Sequence, residues 1–137
     1  MYRGKRVAEL TGAQHIFVYG TLRRDSGHEM YRLLARYADF VGDAAFQGRL
    51  FLIDEFPGAI PSNDPKDIVR GEVFRLDSPE RVLTRLDEYE EIDPGAVDRT
   101  LFRRELADVV LDNGRVIRAW IYLYNRPTDG LTPIPSG

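Results

Sequence analysis

The stretch "FRRELADVVLDNGRVIRAWIYLY", residues 102–124, sets two β-rich arms on either side of Asn113-Gly114. Asn-Gly between arms rich in Val, Ile, Tyr and Trp is the strongest short hairpin signal in the chain. A hairpin of that length commits the protein to a sheet. Working outward, the sequence predicts a strand near 15–19, a short helix near 28–37, and strands near 40–45 and 47–53. A loop "DEFPGAIPSNDPKD" follows, then a strand near 68–76 and a helix near 79–90. Strands outnumber helices and the connections are irregular, so the expected class is α+β, with two main helices on one mixed, strongly curved sheet. Residues 1–14 read as a loosely attached lead-in. Residues 126–137 (RPTDGLTPIPSG) read as an irregular tail, which leaves 15–125 as the domain.

Composition narrows the function. A length of 137 residues suits one domain with a real core. With 19 Lys+Arg against 22 Asp+Glu the net charge is -3, which offers no electrostatic footprint for nucleic acid or an anionic membrane. The sequence has no cysteine, so disulfides, zinc thiolate sites and thiol nucleophiles are excluded. No apolar run approaches the length of a membrane span, and the N-terminus lacks a signal-peptide apolar region; a cytoplasmic location is expected.

The second helix carries the chemistry. Ser78-Pro79-Glu80 is a helix start, with a hydroxyl N-cap, proline at the first helical position and an acid in the first turn. On a wheel advancing ~100° per residue from Val82, Leu83, Leu86 and Tyr89 form one apolar face. Glu90 falls near ~80°, between Leu83 and Leu86, while Asp87, Glu88 and Glu91 fall outside that arc. A carboxylate facing apolar surroundings loses solvation, which raises its pKa, and the helix C-terminus pushes the same way. Such a glutamate can serve as general base and then as general acid. The competing reading is a helix already frayed at residue 90, with Glu90 an exposed end residue.

"HIFVYGTLRRDSG", residues 15–27, starts as a strand and runs into Gly20-Thr21-Leu22. A strand ending in Tyr19-Gly20-Thr21-Leu22 can present consecutive backbone N–H groups at a turn, a concavity that binds small anions such as a carboxylate. Glycine allows close approach and the threonine hydroxyl adds a donor. The competing reading is a plain turn. Other chemistry is poorly represented. His15 and His28 flank different elements with no metal-ligand spacing. Thr21 and Ser26 have no Gly-x-Ser-x-Gly elbow, and no Gly-x-Gly-x-x-Gly or Walker spacing marks a nucleotide site.

In order along the chain, "VYGTLRR", "GRLFLI…FPGAI", "VRGEVFRL", "LDEYE", "LFRRELADVVL" and "AWIYLY" resemble the γ-glutamylcyclotransferase superfamily, with the small γ-glutamylamine cyclotransferase-like proteins as the most similar branch. The resemblance spans roughly residues 15–125 and implies that family's barrel-like fold. It implies a cyclotransferase that closes a small γ-glutamyl substrate (an amine, amino acid or peptide conjugate) to 5-oxoproline and frees the amine, with no metal or other cofactor. It assigns substrate binding to Tyr19, Gly20, Thr21 and Leu22, and acid/base catalysis to Glu90. It assigns neither the oxyanion donor nor an oligomeric state.

Two positions depart from the family pattern: Glu91 stands where glycine often follows the catalytic glutamate, and Phe102 where tyrosine often precedes the Arg-containing strand. Phe102 and Arg104 share one strand face by period-two spacing; the plain reading of the pair is a core residue and a strand-end charge, and it is preferred for Phe102. Tyr122 and Tyr124 read as packing in the sheet interior, with a ligand contact as the alternative. Two alternatives stand beside the cyclotransferase. One is a related lyase or acyltransferase-like enzyme on a γ-glutamylated biosynthetic metabolite; the other is a non-catalytic binding domain that keeps the pocket.

Overall fold

The computed structural model describes residues 14–19, 29–53, 56–89 and 102–134. In chain order these form β1 (His15–Val18), α1 (Glu29–Tyr37), β2 (Ala38–Ile53), β3 (Phe56–Pro61), β4 (Ile68–Leu76), α2 (Pro79–Tyr89), β5 (Phe102–Leu111), β6 (Val116–Tyr124) and β7 (Thr132–Ile134).

The hairpin about Asn113-Gly114 forms, with β5 and β6 paired antiparallel from Phe102↔Tyr124 to Val110↔Val116. Its loop is one residue longer than a two-residue turn. The Leu111 amide donates to the Arg115 carbonyl at 2.8 Å, and Gly114 N–H bonds back to the Leu111 carbonyl at 2.8 Å. Gly114 takes φ 89°, the left-handed conformation that a three-residue hairpin loop requires at this position.

From the hairpin the sheet runs β5-β6-β1-β4-β2, and β2 pairs with β5 again through Ala44↔Leu111 and Ala45↔Val110. The sheet therefore closes into a five-stranded barrel. It is mixed, because β1 lies parallel to β6 and antiparallel to β4. Closure removes the exposed edges that an open sheet would have to protect.

Side chains alternate between two cores. Phe17, Phe46, Val73, Val109 and Ile121 fill the barrel. Ile16, Val18, Phe74, Leu76 and Tyr122 point outward and are covered by Leu34 of α1 and by Val82, Leu83 and Leu86 of α2. Both faces of β1 are thus buried, which explains the unbroken apolar run Ile16-Phe17-Val18. Leu86 is fully buried, and removing such a side chain from water is worth about 1.5–3 kcal/mol. α2 is seated by that face.

Three segments differ from the sequence expectation. The strands near 40–45 and 47–53 are one strand, β2, whose ladder partner changes from β4 (ending Gln47↔Ile68) to β3 (starting Gly48↔Pro61). The predicted loop 54–67 contains β3, whose Pro57 and Pro61 mask it in the sequence. Proline is tolerated there because β3 ends the strand order as an edge. The expected tail contains β7, which pairs with Leu50–Leu52 of β2. Among the described residues no helix is long and apolar enough to cross a membrane.

Gly71 fixes how β1 leaves the sheet. The β1–β4 ladder ends at Val18↔Glu72, and a Cβ on Gly71 would lie 2.2 Å from the Val18 carbonyl oxygen and 2.6 Å from the Phe17 ring. Only a glycine admits that approach, and the chain departs over it toward Tyr19.

Candidate active site

Of the residues singled out for binding and catalysis, Tyr19 is described; Gly20, Thr21, Leu22 and Glu90 lie outside the described residues. The site is therefore built from what flanks them: Tyr19, where the chain leaves β1, and α2, which ends at Tyr89 immediately before Glu90 in the sequence.

Tyr19 packs its ring against the barrel core, 6.4 Å from the ring of Phe17. Its hydroxyl donates to the carbonyl of Tyr122 at 2.5 Å and accepts the amide of Ala59 at 3.0 Å. Ala59 belongs to β3 and is fully buried. The phenol thus satisfies two main-chain groups and ties the start of the Tyr-Gly-Thr-Leu segment to β6 and β3. The single hydroxyl proton of Tyr19 is thereby engaged with the Tyr122 carbonyl.

Tyr122 carries the connection further. Its own hydroxyl donates to Asp87 Oδ1 at 2.7 Å. Asp87 also receives Arg104 through both arms of the guanidinium, Nε to Oδ1 at 2.8 Å and Nη2 to Oδ2 at 3.0 Å. Arg104 and Tyr122 are directly opposed across β5 and β6, so both donors come from one cross-strand pair. The guanidinium carbon lies 4.3 Å from the centroid of the Trp120 ring, a stacked cation–π contact. One chain of bonds therefore joins β3, the end of β1, β6, α2 and β5.

This arrangement corrects the expectation for Asp87 and adds to those for Arg104 and Tyr122. Asp87 is half-buried against the sheet rather than on the watery side of α2; on the wheel it stands only ~40° beyond Leu83, and the arginine opposite it is invisible to periodicity. Arg104 is no strand-end charge but half of a largely buried ion pair. Tyr122 packs as expected, yet its hydroxyl is a donor to the helix. The signal that could have found the cluster is an acid on the shoulder of an apolar helix face together with an arginine inside a β-rich arm. Phe102 and Tyr124 do pack as read, their rings edge to face at 6.1 Å beside Phe51 and Ile53.

A second carboxylate is buried near the end of β1. Glu72, 3% exposed, stands in register with Val18, the last residue of β1. It is the buried acid among the described residues, and it lies beside the point where the chain departs toward Gly20. Among the described residues no three His, Cys, Asp or Glu side chains are grouped to hold a metal ion.

With this geometry in hand, known proteins give the class. Residues 16–137 match the family model described as "Gamma-glutamyl cyclotransferase, AIG2-like". The chain is 33% identical over 123 residues to the gamma-glutamylcyclotransferase family protein YtfP of Escherichia coli strain K12, covering 89% of this chain and 92% of that protein. It is 30% identical over 112 residues to the putative gamma-glutamylcyclotransferase MJ1514 of Methanocaldococcus jannaschii, covering 81% of this chain and 84% of that one. An AIG2-like protein from Mus musculus has the same fold, with a TM-score of 0.67 at 23% identity over 90% of this chain and 87% of that structure. The chain belongs to the gamma-glutamylcyclotransferase family.

Proposed function

We propose that this protein is a γ-glutamyl cyclotransferase-type enzyme that closes the γ-glutamyl group of a small amine, amino acid or peptide conjugate to 5-oxoproline. The observation that carries the reading is the double use of Tyr122. Its carbonyl holds Tyr19, the first residue of the Tyr-Gly-Thr-Leu segment, and its hydroxyl holds Asp87, in the Leu-Asp-Glu-Tyr-Glu segment. The two sequence motifs of the family are thereby anchored on one residue.

In this reading the substrate's α-carboxylate is held by backbone N–H groups of Tyr19–Leu22 with the Thr21 hydroxyl, and Glu90 carries protons. The Glu90 carboxylate takes a proton from the α-ammonium, and the freed amine attacks the γ-carbonyl carbon of the same molecule. A tetrahedral intermediate forms, the bond to the departing nitrogen breaks, and Glu90 returns a proton to that nitrogen. Two protons leave the α-nitrogen over the reaction and two arrive on the departing amine, so an acid that accepts and donates in turn balances the step. Ring closure within one bound molecule draws much of its acceleration from orientation. The reaction as written moves protons and an acyl group, with no change of oxidation state. A cytoplasmic protein acting on soluble γ-glutamyl metabolites fits this chemistry.

The test is a panel of γ-glutamyl amines, amino acids and peptides incubated with the wild-type protein and with Glu90→Gln, with 5-oxoproline and free amine quantified. The wild type should release both in equal amounts from at least one compound. Glu90→Gln should lower kcat roughly 100- to 10,000-fold while leaving the fold intact. A wild type that binds panel members without turnover would identify a binding domain instead.

A further inference from the structure

We infer that Arg104 is a positioning residue for this reaction: by clamping Asp87 it fixes the last turn of α2, and with it the point from which the chain continues into Glu90. The catalytic consequence rests on the cyclotransferase reading above. The clamp itself rests on geometry alone.

α2 ends poorly by its own sequence. The final carbonyls of any helix lack intrahelical donors, and α2 has no basic residue in its last turn. Instead Asp87 and Glu88 stand there, where the macrodipole disfavours negative charge. A turn with those features frays unless something outside the helix holds it. Arg104 supplies the missing positive charge from β5, at 2.8 and 3.0 Å in a two-pronged contact. Two parallel bonds fix the orientation of a carboxylate as well as its distance. Tyr122 adds a third bond from the opposing strand.

The clamp is also held from behind. The guanidinium is stacked on Trp120, whose strand lies between β5 and β1. The fork therefore cannot swing without leaving the ring. A lysine could keep the charge but neither the fork nor the flat stack. These contacts fall three residues before the proposed acid/base in the sequence, and they fix where the described helix hands over to that segment.

The experiment compares wild type, Arg104→Lys, Arg104→Met and Glu90→Gln as full-length proteins. It measures kcat and KM for 5-oxoproline release and amide hydrogen exchange along α2. In Arg104→Met, kcat should fall roughly 100-fold, the scale of a mispositioned reacting group. KM should move by less than about threefold, because the substrate-holding segment is untouched. Added guanidinium should restore part of kcat, and exchange at residues 86–89 should quicken while β5 and β6 keep their protection. Arg104→Lys, which keeps the charge, should fold and show the same faster exchange with an intermediate kcat; it decides the matter if the methionine variant does not fold. Wild-type kcat in both variants, or unchanged exchange at the end of α2, would overturn the inference. If the wild type turns over no γ-glutamyl compound, the cyclotransferase reading fails by itself, and the exchange measurement still decides whether Arg104 holds the helix end.

Discussion

The hydroxyl of Tyr122 reaches the carboxylate of Asp87 over 2.7 Å and so joins a barrel strand to the last turn of a helix. The carbonyl of the same residue accepts the hydroxyl of Tyr19. One bond belongs to the side chain and the other to the backbone, so substitution can cut one and keep the other.

Tyr122→Phe removes the donor to Asp87 and leaves the Tyr19 anchor in place. The ring stays buried, and Asp87 keeps both bonds to Arg104. Urea denaturation should show a loss of about 1.5–3 kcal/mol, the worth of one hydrogen bond to a charged acceptor. Turnover should fall more steeply than stability suggests, because the cut lies between the two motifs.

Tyr19→Phe removes a single oxygen but takes one bond from each of two main-chain groups, the Ala59 amide and the Tyr122 carbonyl. Losing the hydroxyl that serves the buried Ala59 amide and the Tyr122 carbonyl should cost about 2–3 kcal/mol. The urea midpoint should drop with little change in slope. A loss below about 1 kcal/mol would contradict the bracing role given to Tyr19.

Gly71→Ala should be among the most damaging small changes in the barrel. The added methyl would stand 2.2 Å from the Val18 carbonyl oxygen, a backbone atom that cannot step aside, and 2.6 Å from the Phe17 ring. Overpacking of this kind costs about 2–3 kcal/mol, and here it pushes the departing end of β1 out of place. Gly114→Ala is the control: nothing lies within 4 Å, so the left-handed φ alone sets a cost of about 1 kcal/mol. Thermal unfolding of both variants tests the ranking, and activity should fall in Gly71→Ala beyond what unfolding explains.

Ion pairs on this protein should divide by exposure. Arg75 and Asp39 approach to 2.6 Å, yet their side chains are 47% and 63% exposed. Asp39→Ala should change stability by less than about 0.5 kcal/mol, and less again in high salt. Asp87→Ala, which strands the largely covered Arg104, should cost about 2–4 kcal/mol, with little salt dependence. Guanidinium-free denaturation at low and high ionic strength separates the two cases.

Much of the fold is legible wherever the pattern is local. The Asn113-Gly114 hairpin, the apolar β1 and the face of Val82, Leu83 and Leu86 each follow from neighbours within a few residues. β3 and β7 are not legible, because Pro57, Pro61 and Pro133 argue against strands. They form because β2 runs on past the barrel and offers both of them a ladder. β2 itself looks broken in two since its halves answer to different partners. The site divides in the same way. Its motifs can be read along the chain, whereas Asp87 looks solvent-facing until Arg104 is brought opposite it.

By itself the sequence determined the elements with strong local periodicity, the absence of thiol chemistry, and the family to which the motifs belong. These depend on residue types and spacings within a turn or a hairpin. The tertiary structure alone decided that Asp87, Arg104, Tyr122 and Tyr19 form one bonded chain. Those bonds join residues 17, 35 and 103 positions apart. Local periodicity carries no information over such separations; barrel closure brings the partners together.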